Sequence, residues 1–233
     1  MKAALLSELI TSKNVLIQSL AIYAAVSLVI GISMQSPIAM VACIGAMTPF
    51  MMTFTFCALD GMNGWERFRA TLPVSRTAIV ASRYASILLA TVAMVLTAWC
   101  IGMLLSAALP ALFPDWAVSA AFVQEASDPA VFLFAGMMGS GLMLAVAAFV
   151  LPFAMRFGMT KSIRIIPVFA VMLIPVSIFF VQQVPDMARL AADVSLWVDQ
   201  HVALASALFV AIVLAIYAAS CAVTAALYRK KEV

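Results

Sequence analysis

Apolar residues run unbroken for long stretches of this chain, at about 15–33, 37–59, 84–109, 129–154, 165–184 and 202–227. Each run is close to the roughly 20 residues that a helix needs to cross the hydrocarbon core of a bilayer. Strands of a membrane barrel instead alternate apolar and polar residues over about ten positions, and these runs do not alternate. Lipid offers no partner to a backbone amide, so each spanning segment must satisfy its own. The pattern predicts an all-α polytopic membrane protein with six transmembrane helices, in one domain covering residues 1–233. Ser36-Pro37 and Asp128-Pro129 each set a capping side chain before a proline at the first helical position, which predicts two helix starts. Ser75 is placed to cap a helix that enters the membrane near Tyr84.

The segments between the runs have patterns of their own. Over residues 2–13, Leu5, Leu6, Leu9 and Ile10 share one helical face, while Ser7, Glu8, Thr11 and Ser12 share the other. That amphipathic pattern suits a short interfacial helix lying on the membrane surface; a frayed tail is the alternative. Between 185 and 200, Met187, Leu190, Val194 and Trp197 recur at helical spacing with Asp186, Asp193 and Asp199 interspersed. A short outer-face helix that lids the path is expected there. Pro49, Pro167 and Pro175 should bend or locally break their spans. Such breaks line the path in some transporters, although prolines also occur in ordinary membrane helices. Gly136 and Ser140 form a small-xxx-small patch suited to close helix packing.

Composition agrees with the pattern. Of 233 residues, 66% are hydrophobic and only 10% charged, against about a quarter charged in a soluble domain. Orientation follows from Lys and Arg, which accumulate on the cytoplasmic side. If the runs span, twelve of the thirteen basic residues fall on one side, leaving only Arg189 opposite. Counting acids as well, the two sides carry +8 and −5, the net +3 of the chain. Both ends are therefore expected in the cytoplasm, in a bacterial inner membrane. No signal peptide is expected, because Glu8 and Lys13 interrupt any apolar region that follows Lys2. Cys43, Cys57, Cys100 and Cys221 lie in or beside apolar runs without metal-ligand spacing, and read as small buried side chains.

Several functions are disfavoured by what the runs lack. None carries Asp, Glu, Lys, Arg or His at its middle, where coupled transporters and voltage sensors keep such groups. His201 is the only histidine, so a two-histidine metalloprotease motif is excluded. Gly139-Ser140-Gly141 brings no positioned base to a serine nucleophile. Gly158-Met159-Thr160-Lys161-Ser162 ends like a phosphate-binding loop but lacks its glycine framework. No catalytic residue, metal site, cofactor or nucleic-acid surface is expected on this chain, and energy for transport must come from elsewhere.

The segment 60–76 carries the most specific signal. Asn63 is a helix cap, and Leu72-Pro73 ends the helix, because a residue before proline avoids the α region. Trp65, Phe68 and Leu72 make one apolar stripe, with Glu66, Arg67 and Arg69 off it. Such a helix either lies on headgroups or inserts into a groove on a soluble partner. Asp60, Asn63-Gly64-Trp65-Glu66, Thr71-Leu72-Pro73-Val74-Ser75-Arg76, Ile79-Val80 and Ser82-Arg83-Tyr84 together resemble the small permeases of bacterial ABC-2-type exporters. That group includes the exporters of amphipathic peptides such as phenol-soluble modulins. The layout of the whole chain is similar too. Gly61 and Arg83 depart from the family pattern, which has a second acid and a lysine there.

The resemblance implies that 60–76 forms a coupling helix on a cytoplasmic ABC ATPase. Asp60, Asn63, Trp65, Glu66, Arg67, Phe68, Arg69, Leu72, Pro73 and Arg76 are its candidate contacts. ATP and Mg would be bound by that partner chain. Arg156, Lys161 and Arg164 form a second candidate contact, or merely fix topology. Six spans enclose little space, so two permeases per complex are expected, identical or homologous. The 16 methionines and 15 phenylalanines suit a hydrophobic or amphipathic cargo, or simply face lipid. Two rivals remain open: a substrate-binding subunit of an energy-coupling-factor importer, and a non-transporting anchor or immunity protein.

Overall fold

The computed structural model describes residues 2–61, 75–113, 116–157 and 187–229. Seven helices are described: α1 (Lys2–Met34), α2 (Pro37–Gly61), α3 (Arg76–Leu112), α4 (Ala117–Glu125), α5 (Pro129–Phe157), α6 (Met187–Gln200) and α7 (Val202–Arg229). No strand occurs among the described residues. Five of these helices, all but α4 and α6, are long and apolar enough to cross a membrane. The chain is an all-α, multi-pass membrane protein. The run at 165–184, with Pro167 and Pro175, lies outside the described residues.

The caps read from sequence close the helix starts. Ser36 Oγ accepts from Ala39 N at 3.2 Å, and Asp128 Oδ1 accepts from Ala130 N at 2.9 Å and Val131 N at 3.4 Å. Ser75 Oγ accepts from Ala78 N at 3.2 Å. These bonds satisfy donors that have no partner inside the helix. With 37 residues, α3 is about 55 Å long at the usual helical rise, so it outruns any hydrocarbon core.

Two segments differ from the sequence reading. Residues 2–13 and the first span form one unbroken helix, with no turn at residue 14 to set an interfacial helix apart. Neither proline nor glycine occurs between residues 2 and 30, so nothing interrupts the hydrogen-bond ladder there. Leu6 and Ile10 are exposed on it. The second difference is α4, a helix that the apolar runs do not announce. Val118 and Phe122, one turn apart, are buried under it. Glu125, its last residue, accepts from the Ser36 hydroxyl at 2.5 Å and from Ile38 N at 3.4 Å, which pins α4 to the start of α2.

The packing centre is the α2–α5 pair, the most extensive contact in the bundle. Glycines let the two backbones touch. A Cβ on Gly139 would collide with the carbonyl oxygen of Ala42, and one on Gly45 would sit 2.5 Å from that of Gly136. Without a hydrophobic driving force between helices in lipid, this close approach is what van der Waals packing requires. α3 and α7 complete the core against α5, while α1 lies on α2 and α3. Arg76, Arg83, Arg156 and Arg229 all fall toward one end of the bundle, termed the basic end below. α6 chiefly abuts α7, and its Leu190, Val194 and Trp197 are exposed.

Candidate functional site

Between α3, α5 and α7 lies a half-open apolar cavity of about 240 Å³, with the exposed Val92, Leu96 and Leu214 on its rim. Leu88, Val95, Leu133, Leu144, Phe209 and Val213 are among its walls. Two hydroxyls line it, and both donate within their own helices. Thr91 donates to Ile87 O at 2.8 Å, and Ser140 to Met137 O at 3.0 Å. A wall that is apolar apart from these two hydroxyls suits apolar guests. Gly141 keeps it shaped, since a Cβ there would collide with the ring of Phe209.

One turn toward the basic end, every one of the three helices presents a polar group. Leu88 is followed by Tyr84, Leu144 by Ala148, and Val213 by Tyr217. Tyr84 Oη lies 2.8 Å from Ser220 Oγ and 2.7 Å from Thr224 Oγ1. Ser220 donates to the carbonyl of Ala148, and Thr224 donates to Ser220 O at 2.8 Å. Both of those protons are thereby committed, so the Tyr84 proton is shared between the two side-chain oxygens. Tyr217 donates to Tyr84 O at 3.0 Å, and the two rings lie 4.8 Å apart. Tyr217, Ser220 and Thr224 fall on one face of α7, so the network lies one turn beyond the cavity wall, toward the basic end.

Beside Tyr84, Arg83 is only 1% exposed. Its guanidinium lies 4.7 Å from the centroid of the Phe56 ring on α2, a cation–π arrangement. Arg76 opens α3 at the surface and donates through Nη1 to Arg229 O at 3.2 Å, joining the ends of α3 and α7.

The expected coupling residues divide around this site. Asn63, Trp65, Glu66, Arg67, Phe68, Arg69, Leu72 and Pro73 lie outside the described residues, as do Lys161 and Arg164. Asp60 belongs to the last turn of α2. Arg156 is exposed in the last turn of α5. Pro49 sits within α2 without ending it, as Pro110 and Pro152 do in α3 and α5. The sequence reading missed Ser220, Thr224, Tyr217 and Pro152 as a group. The clue available was a line of hydroxyl residues on one face of an otherwise apolar span.

Residues 5–229 match the family described as ABC-2 family transporter protein. The chain belongs to that family. It is therefore the membrane permease component of an ABC transporter. No curated protein and no solved structure matches it.

Proposed function

We propose that this permease serves an ATP-driven exporter of hydrophobic or amphipathic cargo and works with a separate cytoplasmic ABC ATPase. The observation that carries the cargo class is the cavity: its wall is apolar apart from Thr91 and Ser140, whose protons are spent on their own helices, which favours apolar groups. A polar solute would lose its water without finding partners there, at a cost of several kcal/mol for each buried group (about 2–7).

In this reading six spans place both chain ends and the basic end in the cytoplasm of a bacterial cell, where basic residues collect. The segment 60–76 leads directly into α3, and its Trp65, Phe68 and Leu72 stripe fills a groove on the ATPase. Asp60, Glu66, Arg67, Arg69 and Arg76 surround that stripe. ATP closes two ATPases, and two permeases move between inward-open and outward-open states.

Affinity purification from native membranes tests this reading. The wild type should bring down a soluble ATPase with a phosphate-binding loop. A folded Trp65→Ala/Phe68→Ala/Leu72→Ala variant should lose it. Absence of any ATPase, or full retention by the variant, contradicts the docking assignment.

A further inference from the structure

We infer that α5 is hinged at Pro152 and that the Ser220 hydroxyl of α7 is the latch that holds the hinge in the present conformation. The latch stands on geometry alone; its consequence for transport rests on the function proposed above.

Proline has no N–H, so Pro152 deprives the carbonyl of Ala148, four residues earlier, of its helical donor, and the ring crowds that carbonyl. A carbonyl freed inside a membrane helix has to be satisfied by a neighbour. Ser220 is that neighbour. The contrast with other span serines is clear. Ser86, Ser106 and Ser206 each donate to the carbonyl four residues back in their own helix, at 2.9, 2.8 and 2.5 Å. Ser220 instead reaches across to α5, to the one carbonyl that Pro152 leaves without its helical donor.

Tyr84 aims the latch. Its proton is shared by Ser220 and Thr224, and its helix begins at Ser75, directly after segment 62–74. A displacement of α3 at its basic end acts on the Ser220 hydroxyl directly through that of Tyr84. When Ser220 withdraws, the turn 148–152 of α5 has lost both its helical and its borrowed bond, so bending concentrates there. Space exists for that motion. A groove of about 470 Å³ lies beside the hinge, bordered by Pro152, Phe153, Arg156, Ser220, Val223 and Leu227. Bending there moves Ala148, one turn from Leu144 on the wall of the apolar cavity.

The test is a double-mutant cycle on the full-length protein in detergent. Ser220→Ala and Pro152→Ala are made singly and together, and amide hydrogen exchange is followed across residues 148–156. Pro152→Ala restores an N–H that satisfies Ala148 from within α5. Ser220→Ala should speed exchange about three- to fifteenfold in the native background, the range of one interhelical hydrogen bond in a membrane protein. In the Pro152→Ala background it should change exchange little. An equal effect in both backgrounds overturns the latch.

A second arm uses the complex with the co-purified ATPase. MgATP should accelerate exchange at residues 148–156 in the wild type. Pro152→Ala, although at least as stable, should turn over ATP more slowly. Turnover at the wild-type rate overturns the hinge. Failure of any ATPase to associate would contradict the proposed function instead, and the exchange cycle would still decide the latch.

Discussion

Tyr84 on α3 and Thr224 on α7 meet hydroxyl to hydroxyl at 2.7 Å, inside a bundle whose other contacts are almost entirely apolar. The pair fixes how the two spans sit relative to one another, because a polar group in lipid has few alternative partners. Tyr84→Phe should therefore lower stability by about 1 kcal/mol, the scale of interhelical hydrogen bonds in membrane proteins. Thr224→Val should cost less, since Tyr84 can give its proton wholly to Ser220. Unfolding in mixed detergent measures both. Equal stability of all three proteins would show that the network is incidental.

The glycines of the α2–α5 contact make a sharper prediction. Gly139→Ala sets a methyl against the backbone oxygen of Ala42, which can yield only if the helices part. A loss of about 1–3 kcal/mol is expected, as for overpacked cores. Gly31→Ala meets only the side chain of Met40, at 3.0 Å, and should be far milder. Thermal scans of the two variants side by side check the order.

Glu125 ties the short α4 to the start of α2. Glu125→Ala leaves the Ser36 hydroxyl and the Ile38 N–H without that acceptor, whereas Glu125→Gln keeps one. The alanine variant should become more sensitive to proteolysis between residues 113 and 128, with Glu125→Gln closer to wild type. Identical cleavage of the three proteins would remove the tie.

The cavity itself is open to chemical test. A diazirine-bearing aliphatic probe should label peptides containing Leu88–Leu96 and Phe209–Leu214 above the general lipid-facing background. Leu144→Trp, which fills the space, should reduce that labelling while sparing exposed Leu104. Labelling spread evenly over all lipid-facing residues would contradict a binding role for the cavity.

Five of the spans, and the helix starts at Pro37, Arg76 and Pro129, were legible in the sequence because both depend on local information. Long apolar runs follow from the solvent, and Ser36, Ser75 and Asp128 cap helices through bonds to residues two or three positions away. α4 was not legible: its nine residues bury Val118 and Phe122 against neighbours that only the folded bundle supplies. The hydroxyl network was hidden for a similar reason. Tyr84, Ala148 and Ser220 are far apart in sequence, and their meeting depends on the register of three helices. Pro152 was visible as a residue, yet its meaning rests on which helix stands opposite Ala148. The residues that carry the family resemblance, Asn63 to Pro73, lie in a segment whose partner would be another protein, so this chain alone does not reveal their contacts.

The central claim is ATP-driven export of apolar cargo. Its most direct test is uptake of fluorescent amphipathic peptides into inside-out vesicles that contain the permease and its ATPase. The account predicts uptake that requires MgATP, is lost in the Trp65→Ala/Phe68→Ala/Leu72→Ala variant, and falls when Leu144→Trp fills the cavity. Uptake that proceeds equally without ATP, or that survives both variants unchanged, would contradict it.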